Sequence, residues 1–339
     1  MRVLIVGCGA VGQVYGLALQ QAGVTLGLLC RPAAVEKLER AREQGGLPLF
    51  QLSHKHRKDP IVHRLKDYQV IADAAESQRF EPDQIWFTTP SQVYYSDWFR
   101  DFLRQVPSRR VVCFSPEGSR TEFLDESMGD RVVFGGTTFM AWQSDLGGGG
   151  AWPSGGGAWP SGGGGRPGGV SFWRPPLGIP LAGSRDACRE VAQLLKQAGF
   201  RVMVGSPGSH SQAAATAGMT AFATGLELSG WSLRSYRKSP WLRRAAGACR
   251  EAIMGQLPRT GALARALLSD PVLSASFCLT AALLPLLLPF DGEKYLKFHY
   301  TKTREQTVLL LNVFMKDAIG RGVPVTDIQC LLQGLLGAP

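Results

Sequence analysis

Apolar residues open the chain as an unbroken run, Val3-Leu4-Ile5-Val6, and stop at Gly7. A short continuous run of this kind marks a strand buried on both faces, as in a parallel sheet. The spacing then changes. Leu17, Leu19 and Ala22 follow a helical pattern that Gly23 ends, and residues 24–29 form a second apolar run. Strand, helix and strand over roughly 30 residues make a βαβ unit. The alternation continues with a helix predicted over 33–44, strand-like pieces over 47–73 around the basic run His54-Lys55-His56-Arg57-Lys58, and a buried strand over 85–89. A helix over 97–106 and strands over 110–114 and 131–138 follow.

Residues 147–169 interrupt this pattern with low-complexity glycine, in which Gly-Ala-Trp-Pro-Ser-Gly-Gly occurs from Gly150 and again from Gly157. Glycine has no side chain to bury and the most backbone entropy to lose, so a mobile loop is expected, with Trp152 and Trp159 as its aromatic side chains. Residues 170–181 return to strand character and are expected to pair back across the loop. Helical patterns dominate from residue 184, over 186–198, 211–229, 240–254, 261–268 and 305–319. Among them lie a strand at 200–204 and a very apolar segment at 279–288 that contains Pro285. The fold class expected is α/β: a sheet-based domain over 1–183 followed by an all-α domain over 184–339.

Composition adds bounds. The chain has 339 residues, enough for two domains at about 150 residues each. Hydrophobic residues at 45 % and charged residues at 19 % are those of an ordinary folded protein and exclude wholesale disorder. The apolar stretch 277–290 is short for a bilayer span and holds Pro285 and Pro289, so no membrane partner is expected. The opening strand and glycine turn do not have the pattern of a secretory signal. The seven cysteines are scattered with no CxxC pair, which suggests reduced thiols in a cytoplasmic protein and no metal site. A net charge of +10 fits a solvated basic surface and a phosphate-bearing ligand. No nucleic-acid-binding motif accompanies it, so nucleic acid is not an expected partner. The oligomeric state is left open, a homodimer included.

The glycines between the first strand and helix carry the chemistry. In Gly7-Cys8-Gly9-Ala10-Val11-Gly12, Gly7 permits a tight turn, Gly9 lets a pyrophosphate approach the backbone, and Gly12 lets helix and strand pack closely. Free N–H groups and the positive end of the helix dipole then face the phosphates. This predicts a Rossmann-type dinucleotide-binding domain. The end of the second strand selects the cofactor. An acidic residue there would accept from the ribose hydroxyls of NAD, but the chain has Cys30-Arg31-Pro32. A guanidinium matches a 2′-phosphate bidentately, so NADP is the expected cofactor. Lys37 and Arg40 add to the positive field or simply form a solvated helix face.

These residues resemble the ketopantoate reductase (2-dehydropantoate 2-reductase) family. The carrying features are the GCGAVGQ opening at 7–13, Arg31, Gly135-Gly136-Thr137-Thr138 before the hairpin, and Gly322-Val323-Pro324-Val325 after the last long helix. The resemblance runs over essentially the whole chain and marks it as a divergent member. It implies hydride delivery from NADPH to a 2-keto acid, with a lysine as proton donor. The family places Lys-x-x-x-Asn-x-x-x-Asn on one helix face. The matching positions here are Thr216, Thr220 and Thr224, and residues 211–229 contain no lysine or asparagine. A threonine hydroxyl donates only weakly and does not act as a general acid near neutral pH. The family's cofactor-contacting lysine after the fourth strand is replaced by Thr89-Pro90-Ser91-Gln92, and its Asn-Gly by Ser115-Pro116-Glu117-Gly118. Glu305 is the residue able to stand in for the family's late ribose-holding glutamate. The catalytic positions expected by resemblance are therefore Thr216, Thr220, Thr224 and Glu305, and the cofactor positions are Gly7, Cys8, Gly9, Ala10, Val11, Gly12, Arg31 and Thr89.

Other charged candidates have plain readings beside functional ones. Lys294, Lys297, His299 and Lys302 suit an anionic substrate or an exposed helix turn. His210 suits an alternative acid or a surface histidine. Arg234, Arg237, Lys238, Arg243 and Arg244 suit phosphate or a solvated face.

Loop closure costs grow only slowly with length, so the glycine segment contributes little to stability. Replacing 147–169 with a short turn is expected to leave the melting temperature within a few degrees and NADPH binding intact. A large loss of either, read by thermal denaturation and cofactor titration, would show that the segment packs on a domain.

Overall fold

The computed structural model describes residues 1–56, 59–114, 124, 128–144, 169–205, 210–256 and 266–337. The glycine-rich segment up to 168, the Ser115–Gly118 positions and most of the helix expected at 261–268 lie outside the described residues. The chain divides into a first unit that runs to Ser209 and a second from His210 to Pro339.

The first unit is built on an eight-stranded sheet in the order β12-β11-β8-β7-β6-β1-β2-β5. Its strands are β1 (Arg2–Val6), β2 (Thr25–Leu29), β5 (Tyr68–Ile71), β6 (Gln84–Phe87), β7 (Arg110–Phe114), β8 (Val132–Gly135), β11 (Ile179–Gly183) and β12 (Val202–Val204). All neighbours are parallel except β8 and β11. In β1 and β2 every residue after the first is buried, which accounts for their unbroken apolar runs. Helix α1 (Ala10–Gln21) is buried from Gly12 through Leu19 because it lies between this sheet and a second one. On that helix Tyr15 stacks on Phe114 at 4.1 Å and meets Trp86 edge-on at 5.7 Å. Helix α2 (Pro32–Glu43) follows β2. Helix α3 (Ala74–Phe80) follows β5, and α4 (Asp97–Gln105) follows β6. The α3 start is fixed reciprocally. Asp73 accepts from the Glu76 N–H, and the Glu76 carboxylate accepts from the Ala72 N–H at 2.8 Å.

The second sheet has four strands, in the order β4-β3-β10-β9: β3 (Leu47–Leu52), β4 (Ile61–Leu65), β9 (Met140–Ser144) and β10 (Gly169–Trp173). The segment expected to have strand character over 170–181 and to pair back across the loop divides between two sheets. β10 pairs back antiparallel to β9, and β11 crosses to the large sheet. Pro175 and Pro176 separate the two, because neither has an N–H for a ladder. The strand expected over 131–138 also stops early, at Gly135, where a Cβ would lie 2.7 Å from the Phe114 ring.

The domain boundary lies later than residue 183. Helix α5 (Arg185–Gln197) buries Ala187, Cys188, Val191, Ala192, Leu194 and Leu195 in the same core as β1 and β2. β12 then pairs with β11, completing the first unit. An amphipathic helix has the same apolar pattern whether it covers a sheet or another helix, and this moved the expected boundary.

The second unit is helical: α6 (His210–Leu228), α7 (Leu233–Tyr236), α8 (Pro240–Gln256), α9 (Asp270–Leu287), α10 (Gly292–Lys302), α11 (Arg304–Gly320) and α12 (Thr326–Gly337). Small residues on α8 let neighbours approach. A Cβ at Gly247 would meet the Asp327 carboxylate, and one at Gly255 would lie 2.7 Å from the Ala318 nitrogen. Glu251 is buried in the middle of α8 and accepts from the N–H groups of Asp327, at 3.1 Å, and Ile328, at 2.9 Å. It caps a helix distant in sequence. Burial pushes its carboxyl above the usual range, and the two N–H groups oppose that shift.

The apolar segment expected at 279–288 forms the last part of α9, which starts at Asp270 with Pro271 in its first turn. Among the described residues α9 is the one helix long and apolar enough to cross a membrane by length and composition, with a mean hydropathy of 1.6. Its 18 residues extend about 27 Å, slightly less than a hydrocarbon core of about 30 Å. Leu279, Leu283, Leu286 and Leu287 on it are exposed.

Removing the Glu251 carboxylate leaves two helix N–H groups unpaired in a buried setting. Glu251→Ala is expected to lower the unfolding free energy by about 1–3 kcal/mol, measured by chemical denaturation. Glu251→Gln, which retains one acceptor oxygen, should lose less.

Candidate functional site: the glycine turn and the threonine helix

The turn after β1 is held by its backbone and one hydroxyl. Gly7 has φ +103, a conformation that favours glycine, and its N–H donates to the Leu29 carbonyl at 3.2 Å. The Thr88 hydroxyl, just past β6, donates to the Gly7 carbonyl at 2.7 Å. A Cβ on Gly12 would stand 2.1 Å from the same carbonyl oxygen, so no side chain fits there. A Cβ on Gly9 would meet nothing within 4 Å, so the backbone is open at that point. Gly9 is also the N-cap of α1. It supplies no side-chain acceptor, and the first turn has no acidic residue. The N–H groups at this end therefore keep their positive potential for an incoming anion. Ala10 and Val11 are half-buried in this first turn. Gln13 is buried and donates from Nε2 to the Cys8 carbonyl at 3.0 Å, holding the outer limb of the turn.

Beside this turn, Cys30 is buried at the end of β2, and Arg31 is exposed as the N-cap of α2. Arg31 makes no ion pair among the described residues, whereas Arg40 and Arg42 on the same helix pair with Glu36 and Glu39. Its charge is available to a ligand. The Thr89 hydroxyl, whose methyl would be 3.0 Å from a Cβ on Gly7, is buried with no hydrogen-bond partner among the described residues. A buried hydroxyl left unpaired costs about 1–3 kcal/mol, which a ligand acceptor would relieve. The open Gly9 backbone, the uncapped helix end, the unpaired Arg31 and the orphaned Thr89 together fit a phosphorylated dinucleotide.

The positions expected to carry proton chemistry lie on the helical unit, and two are withdrawn from solvent. Thr220 and Thr224 are buried, and the Thr224 hydroxyl donates to the Thr220 carbonyl at 2.8 Å. That bond is internal to α6, so Thr224 serves the helix rather than a substrate. Thr216 remains half-buried. Glu305 is exposed in the first turn of α11, next to Arg304, which pairs with Glu227 at 3.2 Å and donates to the Leu335 carbonyl at 2.7 Å. Lys294 pairs with Asp291 at 3.5 Å, and Lys297 and Lys302 are exposed. His299 differs from these lysines. Its ring stacks on Tyr295 at 5.6 Å, and burial together with the Lys302 charge pushes its pKa down to about 4. It is neutral at neutral pH and adds no charge to the basic stretch. Arg244 pairs with Asp327 at 2.8 Å, and the His210 side chain lies outside the described residues. Among the described residues no cluster of His, Cys, Asp and Glu is arranged to hold a metal.

Sequence reasoning missed Thr88 and Gln13 as holders of the turn. For Gln13 a signal was present, since an amide one residue past Gly12 in an otherwise apolar helix needs a buried partner. Thr88 had no such signal, because its partner is a carbonyl in the turn after β1, remote in the sequence.

A family profile described as Ketopantoate reductase PanE/ApbA matches residues 3–148. No curated protein matches the chain. Among solved structures, the 2-dehydropantoate 2-reductase from Geobacter metallireducens GS-15 is similar at 15 % identity and TM-score 0.66, with 100 % of each chain covered. D-mandelate dehydrogenase, in a ternary structure with NADH and anilino(oxo)acetate, is similar at 14 % identity and TM-score 0.63, covering 99 % of this chain and 97 % of that one. Yersinopine dehydrogenase with NADP+ bound is similar at 15 % identity and TM-score 0.59, covering 99 % and 90 %. At these identities the likeness is one of fold. The sheet-based first unit and the helical second unit agree with it, and residues 3–148 match the ketopantoate reductase PanE/ApbA family profile.

Proposed function

We propose that the protein is an NADPH-dependent reductase of a 2-keto acid or a related small-molecule carbonyl compound. The observation that carries this reading is the exposed Arg31, without an ion pair among the described residues, beside an uncapped helix end and an open glycine turn. Bound there, NADPH supplies a hydride to a carbonyl carbon. The residues do the rest. Gly7, Cys8 and Gly9 present backbone to the pyrophosphate. Ala10 and Val11 offer first-turn N–H groups, and Gly12 keeps α1 close enough for them to point at it. Arg31 takes the 2′-phosphate, and Thr89 gains an acceptor for its orphaned hydroxyl. The positive charge of Arg31 is what selects NADP over NAD, since no carboxylate stands at the end of β2. Free cysteines fit a reducing, cytoplasmic setting.

A second reading is a dinucleotide-binding protein without turnover. The Thr224 hydroxyl, satisfied inside α6, favours it, as does a helix face with no lysine. Thr216 and Glu305 are the remaining proposed positions for contacts beyond the cofactor.

Titration with NADPH and NADH is expected to show a clear preference for NADPH. Arg31→Ala should remove it, at about 10- to 100-fold in affinity for one lost charge-assisted contact. Equal affinity for both cofactors in the unmodified protein would overturn the assignment.

Ketopantoate is expected to be a very poor substrate. Losing one well-placed donor to a developing alkoxide costs about 10²–10³ in rate, and the family's ammonium also delivers the proton. NADPH oxidation with ketopantoate should be near background, and Thr216→Lys should raise it. Oxidation by any of a panel of bulkier 2-keto acids supports the reductase, whereas tight NADPH binding with no oxidation across the panel supports the second reading.

A further inference from the structure

The glycine turn holds a feature that dinucleotide binding does not use: two cysteines meet across it. Cys8 is the second residue of the turn, and Cys30 is the first beyond β2. The parallel pairing of Val6 with Leu29 brings these two chain ends together, and the Gly7 N–H continues the ladder to the Leu29 carbonyl. The Cys8 Sγ donates to that same carbonyl at 3.4 Å, on the residue preceding Cys30. The two thiols are near enough for each to perturb the ionisation of the other. Continuing that register sets Gly7 opposite Cys30, so Cys8 lies one residue beyond direct opposition. Cys8 is half-buried, and Cys30 keeps 8 % of its surface, which gives a small oxidant access from the side of the turn. By contrast, Cys113 and Cys249 are almost wholly buried.

We propose that Cys8 and Cys30 form a reversible disulfide, made by a peroxide and broken by a thiol, that ties the glycine turn to the end of β2 and weakens dinucleotide binding. The link itself stands on the contact of the Cys8 sulfur with the Leu29 carbonyl, on the residue that precedes Cys30, and its effect on cofactor rests on the functional reading above.

The influence of each thiol on the other assigns the roles. The neighbouring Cys8 holds the Cys30 thiol below its usual range, against the opposing effects of burial and the Glu39 and Glu76 carboxylates. The Cys30 neighbour, with burial, pushes Cys8 up. Cys30 is therefore the nucleophile. Its thiolate attacks one oxygen of hydrogen peroxide, the O–O bond breaks, and the departing hydroxide leaves as water after taking the Cys8 proton. Cys30 is then a sulfenic acid. The Cys8 thiolate so formed attacks the Cys30 sulfur, the S–S bond forms, the S–O bond breaks, and the hydroxide leaves as a second water with the proton that Cys30 lost on ionising. Overall, two thiols and one peroxide give one disulfide and two waters, with two electrons passing from sulfur to oxygen.

The consequence for the turn follows from its contacts. A bridge moves the Cys8 sulfur off the Leu29 carbonyl and draws Cys8 toward β2. The Cys8 carbonyl is held by Gln13, and Gly9, the N-cap of α1, is the next residue, so the phosphate-facing backbone shifts with it. Arg31 adjoins the other end of the bridge.

The test treats the reduced full chain with a few equivalents of hydrogen peroxide, blocks free thiols with N-ethylmaleimide and maps peptides without reduction. The expected product is a linked pair containing Cys8 and Cys30, two hydrogens lighter than the separate peptides and released by dithiothreitol. Oxidised protein should bind NADPH at least about tenfold more weakly, with affinity restored by dithiothreitol. NADPH added before peroxide should slow linkage. In Cys30→Ser the link should be absent and the residual NADPH affinity insensitive to peroxide. If that variant does not fold, the peptide map of the unmodified chain still decides. Separate alkylated or sulfinic peptides for Cys8 and Cys30, with no linked pair, would overturn the proposal. So would a linked protein whose NADPH affinity is unchanged. Reduced protein that forms the link yet binds no NADPH would instead overturn the cofactor reading, and the mass of the linked peptide distinguishes that failure from the first.

Discussion

The first unit depends on one steric constraint: the space between the Gly7 carbonyl oxygen and residue 12 admits no side chain. A Cβ there would sit 2.1 Å from the oxygen. Because it is absent, α1 descends directly from the turn and lies close against β1 and β2. That depth buries the helix nearly all round and lets the second sheet cover its outer face. The same closeness sets the Thr88 hydroxyl on the Gly7 carbonyl and leaves Thr89 facing the turn without a partner among the described residues. An uncapped helix end beside an open turn and an aromatic core around Tyr15 are thus two results of one missing methyl group.

The helical unit is held differently. Its central helix, α8, is rich in Ala and Gly, so neighbouring backbones approach it closely, and its buried Glu251 carboxylate and the Arg244–Asp327 ion pair tie it to the start of α12. Buried polar groups here are absorbed by helix ends and carbonyls. Glu251 takes the start of α12, Arg304 takes the Leu335 carbonyl, and Thr224 takes the Thr220 carbonyl. A threonine at every fourth position of α6 suggests a polar face in one dimension. In three dimensions two of those hydroxyl positions are inside.

What was legible in the sequence is what local chemistry determines. The βαβ opening, the glycine spacing and Arg31 at the end of β2 could be read because each depends on residues within one turn of chain. The split of 170–181 between two sheets could not, because the pairing partners are remote, although Pro175 and Pro176 marked where it happens. The position of α5 was hidden for a related reason: its apolar stripe reports that it is covered, not by what. The helices α10 and α12 begin at Asp291 and beside Glu251, and of these only the Asp291 cap is a local signal. Site residues that act through side chains on neighbouring strands, as Thr88 does, leave no periodic trace.

The small sheet has a consequence for the order in which the chain assembles. β3 and β10 pair in parallel, Leu49 beside Val170, with β5 through β8 of the large sheet lying between them in the sequence. The hairpin of β3 and β4 can close early, since its ends are near. The β3–β10 contact must wait for a very long loop to be confined, and only the growing large sheet can confine it. Until then β3 has one edge of unpaired backbone groups and α1 has one apolar side uncovered. The unit therefore has a late-closing seam, where a half-made chain is most open to pairing with a neighbour.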